Sequence, residues 1–154
     1  MLTLLTALSF AQAPPPIIGG QQAEPGEWPD SVVLMVGNNI SFCTGTLIAP
    51  DVVLTAGHCI DSDAARYPIS VRLNSVDKLS GGELISVQSK TIYPGYRTGS
   101  KLPDLAVLKL SRESTQVEPR AIMGDCITPE YGSMAPITMV GWGLAYPNAR
   151  VGPQ

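Results

Sequence analysis

His58 is the residue best suited to chemistry in this sequence, and it is the single histidine among 154 residues. The pKa of an imidazole lies near neutral pH, so histidine is the side chain that most often takes up and returns a proton in catalysis. An apolar run, residues 52–54, comes shortly before His58, and Cys59 follows it directly. A lone histidine is more often structural than catalytic, so its interpretation depends on the residues that accompany it.

A carboxylate could complement such a base, and Asp104 is one of 13 acidic residues in the sequence. It stands just before a second apolar run, residues 105–110. A carboxylate beside an imidazole fixes its tautomer and stabilises the imidazolium that forms when the base takes a proton. Taken alone, Asp104 is better interpreted as a turn residue, because Pro-Asp pairs commonly start turns.

Four segments, in this order and at these separations, closely resemble the trypsin-like (chymotrypsin-fold) serine proteases. They are residues 17–20 (IIGG), 54–59 (LTAGHC), 103–110 (PDLAVLKL) and 141–143 (GWG). The resemblance implies that His58 is the general base and that Asp104 is its orienting carboxylate. It also implies that a cut before Ile17 frees an amino group that folds inward. Pro16 departs from the family's pattern, because the usual activating proteases need Lys or Arg at this position.

The nucleophile of that family stands in a Gly-Asp-Ser-Gly-Gly segment, which these 154 residues do not contain. Residues 124–127 (GDCI) imitate its first half, and a cysteine can serve as a nucleophile. They precede the GWG segment and lack the following glycines, so Cys126 is not expected to take this role. We therefore expect no nucleophile in this chain, which would be an N-terminal half that is inactive alone.

The three cysteines fit the same resemblance. It implies a disulfide between Cys43 and Cys59, which would clamp the strand before His58. Cys126 is then left over, and we expect it to contact a missing C-terminal half. A structural zinc site built from the cysteines and His58 is a weaker alternative, because the sequence has no Cys-x-x-Cys pair. We expect neither a metal nor a cofactor.

The elements that would position these residues are short strands separated by turns. The predicted strands are residues 31–36, 42–49, 52–55, 69–74, 83–93 and 105–110. The last of these is almost continuously apolar, as a strand buried on both sides would be. Six such strands favour an all-β fold, a closed antiparallel Greek-key β-barrel. The resemblance makes this the first barrel of a two-barrel trypsin-like fold whose second barrel is largely missing.

The sequence predicts three parts. Residues 1–16 are a signal peptide or leader with a proline-rich spacer, and residues 17–125 form the N-terminal barrel. Residues 126–154 form a linker and the truncated start of the second barrel, with a first strand near residues 137–143. The apolar stretch at residues 1–10 is too short to span a bilayer.

Composition agrees with a secreted, β-rich globular chain. The sequence is 44% hydrophobic and 15% charged, with 15 Gly and 14 Pro. A net charge of −3 gives no reason to expect nucleic acid or an anionic membrane as a partner. The expected function is that of a serine-type endopeptidase acting on protein or peptide substrates. The alternative is a binding module that kept the barrel and lost catalysis.

Overall fold

The computed structural model describes residues 20–37, 40–122 and 137–142. Within them the chain forms six strands and two short helices. The strands are β1 Ser31–Val36, β2 Ile40–Ala49, β3 Val52–Thr55, β4 Ile69–Leu73, β5 Glu83–Ile92 and β6 Ala106–Leu110. The α-helix α1 is Gly57–Ile60, and a 3₁₀ helix covers Asp63–Arg66. In the described part of the chain, no helix is long and apolar enough to cross a membrane.

The six strands close into one antiparallel barrel in the order β1-β2-β3-β6-β5-β4. β1 to β3 form one meander and β4 to β6 form another. The pairs β3–β6 and β1–β4 join the two meanders into a ring. A closed barrel has no free strand edge that could pair with another chain. The expected all-β antiparallel barrel is confirmed.

The core consists of side chains that point into the barrel from alternate positions along the strands. In β4, Ile69, Val71 and Leu73 are buried while the residues between them are half-buried, as the alternation in the sequence predicts. Leu34 of β1, which pairs directly with Val71, and Leu108 of β6 belong to the same core. Burying each such side chain contributes roughly 1.5–3 kcal/mol relative to leaving it exposed.

The prediction that β6 is buried on both sides is wrong. Val107 is 37% exposed and Lys109 is also exposed, while the other three side chains of β6 are buried. The wall of a barrel is one layer thick, so apolar residues that point outward meet solvent unless another segment covers them. β1 is the strand that is buried on both faces, since its outward residues Val33 and Met35 are only 1% and 3% exposed.

Residues 137–142 do not form the strand predicted there. Residues 137–140 have no regular structure, and Ile137 and Met139 are 86% and 70% exposed. A strand needs a neighbour to complete its hydrogen bonds, and the closed barrel offers no free edge. This segment contacts the rest of the described chain through a side chain: the indole N–H of Trp142 donates to the carbonyl of Val76 over 3.1 Å.

Arg120 holds the segment after β6 against the barrel. Its guanidinium donates to both carboxylate oxygens of the buried Asp30, over 2.8 and 2.6 Å, and its carbon lies 5.6 Å from the Trp28 ring. The backbone N–H of Arg120 also donates to the carbonyl of Leu47. A bidentate pair of this kind fixes orientation as well as distance.

Candidate active site

The pairing of β3 with β6 brings His58 and Asp104 together. Thr55, the last residue of β3, is paired with Ala106, the first residue of β6. The chain enters α1 just after Thr55, and Asp104 lies two residues before Ala106. Because the two strands are antiparallel, the end of one and the start of the other lie side by side. His58 in α1 therefore faces the carboxylate that precedes β6.

Asp104 contacts His58 with both of its oxygens. The backbone N–H of His58 donates to Oδ1 over 2.8 Å, and Nδ1 of His58 lies 2.8 Å from Oδ2. An ionised carboxylate only accepts hydrogen bonds, so Nδ1 carries the proton. In the neutral ring, Nε2 then carries the lone pair. This tautomer is the one that a general base acting through Nε2 requires.

The hydrogen bonds that Asp104 accepts favour the ionised form of its carboxyl group. The hydrogen bond from the His58 side chain lowers its pKa most, and the bond from the His58 backbone lowers it further. Desolvation opposes this shift, and the Tyr96 hydroxyl adds to it. The His58 and Asp104 side chains are 55% and 46% exposed, so water reaches both members of the pair.

Tyr96 is a site residue that the sequence analysis missed. It is 5% exposed, and its pKa is raised first by desolvation and then by its hydrogen bond to Asp104. The sequence around Tyr96 indicates a turn at Pro94-Gly95. In the structure Gly95 has φ +80, and the backbone N–H of Tyr96 donates to the carbonyl of Tyr93. That turn says nothing about a partner eight residues further along the chain.

Gly57 is required by the close approach of these groups. A Cβ at this position would lie 2.9 Å from the Tyr96 ring and 3.1 Å from Oδ1 of Asp104. Both distances are shorter than ordinary contacts of a methyl group. The small residue before His58 therefore lets Asp104 reach the backbone N–H of His58.

Asp61 fastens the loop that follows Tyr96 to the end of α1. It accepts hydrogen bonds from the backbone N–H and the hydroxyl of Thr98, each over 2.8 Å. These two bonds are the main reason why the pKa of Asp61 is lowered. The loop that carries Tyr96 is thus tied to the helix that carries His58.

A disulfide links Cys43 of β2 to Cys59 of α1, next to the histidine. Donor atoms of Cys43, His58 and Cys59 lie within 4.8 Å of one another, a spacing that could suit a metal ion. The disulfide, however, commits both sulfurs, so they do not act as thiolate ligands. Ile17 and Cys126 lie outside the described residues.

Comparisons with known proteins show which family the chain is similar to. The sequence model of the trypsin family matches residues 17–153. Serine protease 28 of Mus musculus is 34% identical over 151 residues, which cover 90% of this chain and 54% of that protein. Trypsin of Sarcophaga bullata is 40% identical over 105 residues, which cover 66% of this chain and 39% of the relative.

Among solved structures, the VesB protease of Vibrio cholerae is similar with a TM-score of 0.58 and 31% identity, over 69% of this chain and 33% of that chain. The chain spans about half the length of the curated relatives that it matches. The family match covers most of the sequence, and the barrel is of the same kind as that of a solved protease. The chain belongs to the trypsin family.

Proposed function

We propose that this chain carries the general-base half of a serine-type endopeptidase active site. His58 is the general base, and Asp104 orients it. The observation that carries the proposal is the two-point contact between them, in which one carboxylate holds both the backbone and the ring of His58. A carboxylate that served only a turn would have no reason to engage the Nδ1 atom of a histidine 46 residues away.

In this reaction Nε2 of His58 takes the proton of a nucleophilic hydroxyl and later gives it to the leaving amine. Asp104 stabilises the imidazolium between those two steps. The pKa of Asp104 is lowered, mainly by the hydrogen bond from the His58 side chain, which favours its ionised form. The substrate would be a protein or peptide, as the family membership supports.

The 154 residues do not include a Gly-Asp-Ser-Gly-Gly segment. We propose that these residues by themselves do not hydrolyse peptide bonds. Losing one member of a triad removes nearly all of the rate that the triad contributes. The backbone donors that normally surround the nucleophile would be lost as well, and one such donor is worth about 3–4 kcal/mol of transition-state stabilisation.

The division of the chain follows from the same proposal. Residues 1–16 are a leader of a secreted protein, residues 17–125 are the base-carrying barrel, and residues 126–154 lead into a second barrel. Ile17 would be the activation N-terminus. The six-stranded ring within the middle part supports treating it as one folding unit.

A fluorophosphonate probe, which labels activated serines, tests the proposal. The 154-residue chain should stay unlabelled. A chimera that begins at Ile17 and takes its remaining half from Serine protease 28 of Mus musculus should be labelled. The same chimera with His58→Ala should lose the labelling, while one with the exposed Asp63→Asn substitution should keep it.

Three results would change the conclusion. Stoichiometric labelling of the 154-residue chain would mean that it contains a nucleophile. A chimera that folds, as judged by near-ultraviolet circular dichroism, yet stays unlabelled would favour the non-catalytic binding module. Labelling that survives His58→Ala would remove His58 from the role of general base.

A further inference from the structure

Nε2 of His58, the ring atom opposite the Asp104 contact, lies 3.5 Å from Sγ of Cys59. Carboxylate, imidazole and sulfur therefore follow one another from Asp104 through His58 to Cys59. An imidazole beside a sulfur lowers the pKa of the thiol and stabilises the thiolate. Here the sulfur belongs to a disulfide, so the arrangement can act only when the bond to Cys43 opens.

The two residues of this disulfide differ in exposure. Cys59 is 3% exposed, whereas Cys43 is only partly buried on β2. Because Cys43 is the more exposed residue, attack by a thiolate from solvent is expected at its sulfur, with the sulfur of Cys59 as the leaving group. The leaving sulfur is also the one beside His58.

We propose that the Cys43–Cys59 disulfide is a thiol-exchange site at which His58 assists the departure of Cys59. The co-reactant is a low-molecular-weight thiol of the glutathione class. The inference does not depend on a peptidase nucleophile, since it uses only groups that the described residues contain.

The step balances without an external oxidant. The incoming thiol loses its proton to solvent, and its sulfur forms a bond to Sγ of Cys43. The Cys43–Cys59 bond breaks, and its electron pair goes to Sγ of Cys59. Nε2 of His58 takes a proton from solvent and donates it in a hydrogen bond to the new thiolate. The products are a mixed disulfide on Cys43 and a Cys59 thiolate paired with the imidazolium.

Assistance of this kind raises the rate because a thiol with a lower pKa is a better leaving group. Asp104 contributes by fixing the ring, since its bond to Nδ1 points Nε2 towards the sulfur. Asp104 is therefore a positioning residue in this step. His58 touches the reacting sulfur directly.

The rate of disulfide opening by dithiothreitol at pH 7 tests the role of His58. Samples are quenched with acid, alkylated and weighed by mass spectrometry. His58→Gln should open about tenfold more slowly than the unmodified chain, since an unassisted thiol is a poorer leaving group. The exposed Asp63→Asn substitution should leave the rate unchanged.

The direction of the change separates this role from a structural one. If His58 merely held α1 in place, its loss would loosen the disulfide and make it open faster. An unchanged or faster rate in His58→Gln would overturn the proposal. Asp104→Asn should also slow the opening, by a smaller factor than His58→Gln.

A second measurement needs no variant. The full chain is treated briefly with glutathione, quenched with acid and digested, and each cysteine is read in its own peptide, so that Cys126 is distinguished. Glutathione should be found on Cys43, with Cys59 as the free thiol. Glutathione on Cys59, or equally on both, would contradict the proposed order of attack.

Discussion

His58 holds both carboxylate oxygens of Asp104, one through its backbone N–H and one through Nδ1, each over 2.8 Å. The two residues are 46 positions apart in the chain. Two contacts to one carboxylate fix its rotation as well as its distance. The contact with Asp104 places the proton of the neutral His58 ring on Nδ1.

The contact between His58 and Asp104 makes the stability of the fold depend on pH in the acidic range. The pKa of Asp104 is below its usual value, mainly through its bond to His58. The ionised form of Asp104 therefore stabilises the fold at pH values above the pKa of this residue in the unfolded chain, which is about 3.9. This contribution is lost as the pH falls through the lower pKa that Asp104 has in the folded chain. In Asp104→Asn, the free energy of unfolding should fall less steeply over that acidic range. Urea unfolding at a series of pH values measures this free energy for the unmodified chain and for Asp104→Asn. Parallel pH dependences of the two proteins would contradict the stabilising role of ionised Asp104.

Glu83 should matter more for stability than exposed carboxylates do. It is 6% exposed, and although desolvation raises its pKa, bonds from Arg112, Ser114 and Thr115 together hold it below its usual value. Glu83→Gln should lower the free energy of unfolding by about 2 kcal/mol, since bonds to a charged group are lost. The exposed pair of Asp63 with Arg66 gives the control: Asp63→Asn should change stability by less than about 0.5 kcal/mol. Equal effects of the two substitutions in urea unfolding would refute this prediction.

Gly57→Ala should destabilise the site through Tyr96. The added methyl would lie 2.9 Å from the buried ring, which must shift, and such overpacking costs about 1–3 kcal/mol. A double-mutant cycle with Tyr96→Ala checks the cause, because the alanine at position 57 should cost less once the ring is gone. Additive effects of the two substitutions would show that the methyl clashes with something else.

The Cys43–Cys59 disulfide closes a loop with a sequence separation of 16. Replacing both cysteines with serine should lower the free energy of unfolding by about 3 kcal/mol in the chain-entropy model. Non-reducing peptide mapping of the unmodified chain should find this link and one alkylatable thiol, Cys126. A link from Cys126 to either of the other cysteines would contradict the assignment.

No stoichiometric metal is expected in the oxidised protein. Both sulfurs near His58 are committed to the disulfide, and Nδ1 of His58 is committed to Asp104. Elemental analysis of protein purified without a chelator measures this. One equivalent of zinc would instead support the structural metal site.

Local sequence patterns determined most strands and indicated His58 as the candidate base. The bounds of β1 and β3 are confirmed as predicted, and the inward side of β4 follows directly from its alternation. These features depend on side chains within a few residues of each other, so composition and spacing suffice. The placement of His58 after β3 and of Asp104 before β6 is likewise local information.

Other features were decided only by contacts between distant segments. The sequence predicted burial of β6 on both sides, but the fold buries both faces of β1, because what covers the outside of a strand is set by other parts of the chain. The approach of Tyr96 to Asp104 and the bidentate pair of Arg120 with Asp30 had no sequence signal either. Sequence alone determined which groups could do chemistry in this protein. The tertiary structure decided which of them touch, because closing the barrel is what brings the end of β3 beside the start of β6.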